Sequence, residues 1–87
     1  MKLDTFKLGI IGGGQLGMFL AKAAKDINIE PHVYSNTKDA PAKKYAAKMY
    51  YGSFEDFKKL MSFAKKVDVI TYEFENVSVE SLKKIKK

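Results

Sequence analysis

The sequence predicts an α/β fold: a four-stranded parallel sheet of order 3-2-1-4 with helices on both faces, formed by one domain over residues 1–87. Three observations carry this. Short apolar or β-branched runs alternate with segments of helical periodicity, strand then helix, four times over. Glycine, proline, asparagine and serine fall between the segments. A chain of 87 residues supplies one small domain, which buries only about 60–65% of its unfolded surface. Right-handed crossovers then place the first strand centrally, with the second and third to one side and the fourth to the other.

The first strand is read over residues 6–11, an apolar run closed by Gly12, Gly13 and Gly14. Leu16, Phe19, Leu20, Ala23 and Ile27 follow at i, i+3, i+4, i+7 and i+11. They form one apolar helix face, the face expected to meet the core. Lys22, Lys25 and Asp26 fall on the other side, and Asn28 ends the helix. A second strand is predicted over 31–34, and residues 35–41 are rich in turn formers. A short helix over 42–47 leads to a third strand over 48–51, closed by Gly52. Ser53 and Asp56 give a helix-start signal. Phe54, Phe57, Leu60, Met61 and Ala64 follow at helical spacing. Residues 67–72 are a β-branched fourth strand, and Ser78 caps a last helix carrying Val79, Leu82 and Ile85.

Composition narrows the function. Hydrophobic residues make up 46% and charged residues 30%, the balance of a soluble globular domain. No apolar run approaches the ~18 residues of a membrane span, and the N-terminus lacks the pattern of a signal peptide. There is no cysteine, so disulfides, thiolate catalysis and common zinc clusters are excluded. A cytoplasmic protein is the expectation. The net charge is +6, and all sixteen basic residues are lysines. Without arginine forks the basic balance reads as a solvated surface, not a nucleic-acid interface. Lys83, Lys84, Lys86 and Lys87 fit the outer face of the last helix. His32 reads as structural, and Tyr45, Tyr50 and Tyr51 as packing residues.

Two segments suggest chemistry. In this topology the chain reverses direction between the first and fourth strands, which opens a crevice beyond their carboxyl ends. Gly12, Gly14 and Gly17 fit G-x-G-x-x-G between a strand and a helix, as in a Rossmann-like fold. The glycines allow a tight turn, and helix-start N–H groups favour an anion. A dinucleotide site also expects an acid about 20 positions on, at the end of the second strand. Ser35 stands there, and Asp39 lies deeper in the loop. NAD binding is therefore disfavoured. Glu73 and Glu75 share one face of an extended stretch after the fourth strand, with Asn76 beside them. They could accept hydrogen bonds from an amine, a hydroxyl pair or a metal-bound water, or simply sit at a solvated helix start.

Residues 9–17 (Gly-Ile-Ile-Gly-Gly-Gly-Gln-Leu-Gly), 39–42 (Asp-Ala-Pro-Ala) and 68–77 (Asp-Val-Ile-Thr-Tyr-Glu-Phe-Glu-Asn-Val) together resemble the N-terminal, pre-ATP-grasp domain of the N5-carboxyaminoimidazole ribonucleotide synthetases. These are also called phosphoribosylaminoimidazole carboxylase ATPase subunits. The resemblance runs through essentially the whole chain. It implies an ATP-grasp ligase of purine biosynthesis that uses ATP, magnesium and bicarbonate to carboxylate 5-aminoimidazole ribonucleotide. ATP and magnesium would bind in downstream ATP-grasp domains, outside this chain. Carried over by motif, Gly14, Gln15 and Leu16 would lie at the ribonucleotide. Glu73 would bind its polar groups, and Glu75 and Asn76 would support that edge. The resemblance assigns no catalytic or metal-binding residue to this chain. It departs from the family pattern at Met18, where a basic residue is common, and at Ser35, where an acid is common.

The expectation is therefore the first domain of a longer ligase, inactive alone, whose docking surface would favour self-association through the fourth-strand edge or a helix face. A free-standing Rossmann-like module for NAD(P) or another nucleotide is the alternative.

Overall fold

A computed structural model of the chain describes residues 6–72. The elements are β1 (Lys7–Ile11), α1 (Gln15–Asp26), β2 (Glu30–Ser35), a single 3-10 turn at Pro41–Lys44, β3 (Lys48–Tyr51), α2 (Phe57–Lys65) and β4 (Val69–Tyr72). The strands form one parallel sheet of order β3-β2-β1-β4. Gly9 pairs with His32 on one side and Ile70 on the other, and Ile11 with Tyr34 and Tyr72. A reciprocal clasp sets the level of β4. The Asp68 carboxylate accepts from the Lys7 backbone N–H at 2.7 Å, and the Asp68 N–H donates to the Lys7 carbonyl at 2.8 Å.

Alternation along the strands divides the core into two layers. On one face Ile10 and Val33 pack with Ala21 of α1 and Ala42 of the 3-10 turn, backed by Leu8, Met18, Tyr45 and Met49. On the other, Ile11 and Tyr34 pack with Phe54 and with Leu60, Phe63 and Ala64 of α2. Rings dominate this second layer: Tyr34 meets Phe63 at 5.6 Å between centroids, and Tyr50 meets Phe63 edge-on at 4.9 Å. His32 is buried as structural, its Nε2 2.6 Å from Glu30 Oε1 and its Nδ1 3.0 Å from the Tyr50 hydroxyl. Among the described residues no helix is long and apolar enough to cross a membrane.

The first helix corrects the sequence reading. Its buried residues are Gly17, Ala21 and Ala24. Leu16, Phe19, Leu20, Ala23 and Ile27 form a face as expected, but that face is exposed. Small side chains let α1 lie close on β1 and β2, so the larger residues are turned off the sheet. Asn28 does end the helix: its φ is 63°, in the left-handed region that asparagine tolerates, and its N–H donates to the Lys25 carbonyl at 3.1 Å.

Smaller differences have local causes. The short helix expected over 42–47 is reduced to the 3-10 turn, with the Tyr45 and Ala46 N–H groups both donating to the Ala42 carbonyl. Asp56, not Ser53, caps α2 by accepting from the Lys59 N–H at 3.1 Å, while Ser53 Oγ accepts from Glu55 N–H in the preceding turn. Phe54 thus precedes α2 and fills the core from the loop. The fourth strand starts at Val69 instead of Val67, which is buried before it. The expected helix after Ser78 lies outside the described residues.

Tyr34 couples this core to alkaline pH. Its hydroxyl donates to the Ser53 carbonyl at 2.8 Å. Burial first, and then the Asp56 charge, push its pKa up to about 12. The folded state therefore holds the phenolic proton more tightly than the unfolded state, whose pKa is about 10. The resulting stability, about 2–3 kcal/mol, is complete below pH 10 and lost as pH rises toward 12. In denaturant titrations from pH 8 to 12, the stability advantage of the parent chain over Tyr34→Phe is expected to shrink or reverse above pH 10. An advantage that stays constant contradicts this account.

Candidate functional site

β1 and β4 end at paired positions, Ile11 opposite Tyr72, on neighbouring strands about 4.8 Å apart. The chain leaves β1 into the glycine loop and leaves β4 toward Glu73. The reversal of strand order sits between these two exits, where an open α/β sheet binds ligands.

The three glycines have different work. Gly12 has φ 115°, a conformation few L side chains adopt, and its N–H donates to the Tyr34 carbonyl at 2.9 Å. Gly13 is buried, and a Cβ there would lie 2.7 Å from Ala40 Cβ and 3.0 Å from both Cβ and Oγ of Ser35. Its carbonyl accepts from the Ala42 N–H at 3.0 Å. Gly14 is half-buried and opens α1, its carbonyl accepting from Met18 N–H at 2.9 Å. No side chain caps this helix, and no acid stands in its first turn. The first-turn N–H groups have no helical acceptor, so this end favours a negative or carbonyl-like ligand group.

Gln15 and Leu16 lie exposed in that first turn, directly after Gly14. Glu73, Glu75 and Asn76 lie outside the described residues. Met18 is half-buried and packs into the α1 core layer, a role an apolar side chain fills and a lysine would fill poorly. Among the described residues no group of three His, Asp or Glu side chains could hold a metal ion. A shallow concavity lined by Lys25, Asn28, Glu30 and Ala47 lies near the amino end of β2, away from the crevice.

Ser35 is buried, and its Oγ accepts from the Thr37 N–H at 3.2 Å. The loop then folds back so that Ala40 and Ala42 seat on Gly13. The sequence reading missed this clasp between the two loops. Its only trace was the small, turn-forming character of Ala40, Pro41 and Ala42.

Residues 5–87 match the family profile described as the ribonucleotide synthetase preATP-grasp domain. An N5-carboxyaminoimidazole ribonucleotide synthase of Staphylococcus epidermidis is 39% identical over 80 residues, 92% of this chain and 21% of that protein. The solved Staphylococcus aureus N5-carboxyaminoimidazole synthetase in complex with ADP superposes with a TM-score of 0.88 at 37% identity, covering 98% of this chain and 23% of that one. The Aspergillus clavatus N5-carboxyaminoimidazole synthase in complex with ADP and 5-aminoimidazole ribonucleotide superposes at 0.82 with 34% identity, covering 94% and 22%. The chain thus spans about a fifth of the length of the relatives it matches.

Gly13 separates a packing role from a ligand role. Gly13→Ala is expected to lower stability by about 1–3 kcal/mol in urea unfolding, since the added methyl collides with Ala40 and Ser35. Unchanged stability would mean that this glycine is not needed for the clasp.

Proposed function

This chain belongs to the ribonucleotide synthetase preATP-grasp family, and we propose on that basis that it forms one wall of the substrate site in an ATP-dependent carbon–nitrogen ligase of purine biosynthesis. The reaction is carboxylation of 5-aminoimidazole ribonucleotide. Bicarbonate attacks the γ-phosphoryl group of ATP to give carboxyphosphate and ADP. The exocyclic amine then takes the carboxyl group, releasing phosphate and a proton and yielding N5-carboxyaminoimidazole ribonucleotide.

One observation carries the assignment: the glycine loop and the exit of β4 leave the sheet from paired positions. In the reading we propose, Gly14, Gln15 and Leu16 contact the ribonucleotide from the β1 side. Glu73 binds its polar groups from the β4 side, with Glu75 and Asn76 supporting that edge. None of them performs the chemistry. ATP, magnesium and bicarbonate are handled by downstream ATP-grasp domains, so residues 1–87 are a single substrate-side domain without turnover of their own. Soluble substrates fit a cytoplasmic setting.

The dinucleotide alternative gains nothing from the structure. Ser35 turns its hydroxyl to its own loop, and the segment that would flank an adenosine is seated on Gly13.

Steady-state kinetics of the full-length ligase test the proposal. Gln15→Ala and Glu73→Ala should each raise KM for 5-aminoimidazole ribonucleotide about tenfold or more, the effect of losing roughly 1.4 kcal/mol or more of binding. KM for ATP should stay unchanged. A ribonucleotide KM equal to the parent enzyme's in both variants would remove these residues from the site.

A further inference from the structure

The glycine loop owes its shape to a neighbouring loop that has no role in the site so far. Gly12, Gly13 and Gly14 are consecutive, and such a run has wide backbone freedom. A ligand that must order its own binding loop is held more weakly by the entropy of that ordering. Here the loop is fixed at two successive residues. The Gly12 N–H donates to the Tyr34 carbonyl at 2.9 Å, and the Gly13 carbonyl accepts from the Ala42 N–H at 3.0 Å. Ala40 and Ser35 close on Gly13 between these bonds and leave no room for a Cβ.

The second bond has a directional consequence. The Gly13–Gly14 peptide is trans, so its C=O and N–H point in opposite directions in one plane. With the carbonyl held on Ala42, the Gly14 N–H points away from Ala42. Among the described residues it has no acceptor. The clasp reaches Gly13 beside Ser35, the last residue of β2. β4, the strand that Glu73 follows, lies on the other side of β1. One hydrogen bond between two loops thus sets the direction of a donor that glycine alone would leave free to turn.

The donating segment is rigid for reasons that lie in its own residues. Ala40 precedes proline, which favours the extended conformation it has, φ −64° and ψ 134°. Pro41 opens the 3-10 turn with its φ preset. The Lys43 N–H donates to the Ala40 carbonyl at 3.0 Å. Ala42 is buried with Ile10, Ala21 and Val33, so the core holds its N–H in place. Neither alanine has a side-chain group that could bind or react, and both act through backbone and methyl contacts. We propose that Ala40 and Ala42 are positioning residues for the ribonucleotide: their clasp on Gly13 aims the Gly14 N–H at the ligand and orders the glycine loop before the ligand binds. This role rests on the ribonucleotide reading of the loop.

Steady-state kinetics of the full-length ligase carrying Ala40→Gly test it. Glycine removes the methyl that lies against Gly13 and loosens the residue before Pro41. The KM for 5-aminoimidazole ribonucleotide should rise about three- to tenfold, with kcat and the KM for ATP unchanged. A merely destabilised enzyme behaves differently, since loss of folded protein lowers the apparent kcat and leaves KM alone. Ala40→Ser keeps the Cβ and should restore the parent KM. Pro41→Ala, at an exposed position, should raise the same KM and decides the question if Ala40→Gly does not fold. An unchanged ribonucleotide KM in Ala40→Gly, an equal rise in Ala40→Ser, or an equal rise in the KM for ATP overturns the proposal. If Ala40→Gly leaves the ribonucleotide KM unchanged while Gln15→Ala raises it, the positioning role alone falls. If Gln15→Ala and Glu73→Ala leave it unchanged too, the ribonucleotide reading falls with it.

Discussion

β1 exchanges backbone hydrogen bonds with two parallel neighbours, β2 along Lys7–Ile11 and β4 along Leu8–Ile11. That double pairing is the constraint on which the rest depends. It buries Ile10 and Ile11 on opposite faces, so α1 and α2 must cover opposite sides of the sheet. It also fixes where the direction of strand addition reverses. In an open α/β sheet such a reversal is where ligands bind, beyond the carboxyl ends of the strands on either side of it. The Asp68 clasp on Lys7 keeps β4 level with β1, so the two exits stay aligned.

Within this frame the glycine loop serves packing and recognition with different residues. Gly12 makes the turn and Gly13 accepts the neighbouring loop. Only Gly14 and the first turn of α1 remain facing outward. The G-x-G-x-x-G pattern alone suggests that all three approach a ligand. In this fold Gly17 is buried under α1 instead, and Gly13, between the pattern's first two glycines, faces protein. The same clasp seats Ala40 and Ala42 on Gly13, beside the end of β2.

Strand order, strand positions and the reversal could be read from the sequence because each rests on short-range pattern and chain connectivity. The identity of the α1 core face could not. Periodicity identifies a helix and its apolar stripe, but not which surface the stripe meets. Here the sheet selects Gly17, Ala21 and Ala24 because they allow close approach, and leaves Leu16, Phe19, Leu20 and Ile27 outside. The start of α2 was misplaced for a related reason. Ser53 and Asp56 both carry capping chemistry, and only the path of the preceding turn decides between them. Of the candidate site, the exposure of Gln15 and Leu16 at the start of α1 follows from the glycine loop that precedes them. The clasp from Ser35, Ala40 and Ala42 left only the small residues of its loop as a trace, because it joins residues more than twenty positions apart through backbone and methyl contacts.

The most direct test of the central claim is amide chemical-shift mapping of the isotope-labelled chain with millimolar 5-aminoimidazole ribonucleotide and, separately, NAD. The account predicts ribonucleotide-dependent shifts confined to residues 12–17 and to residues following Tyr72, with none of comparable size from NAD. Shifts centred on Ser35 to Ala40, equal responses to NAD, or no response to the ribonucleotide would contradict it.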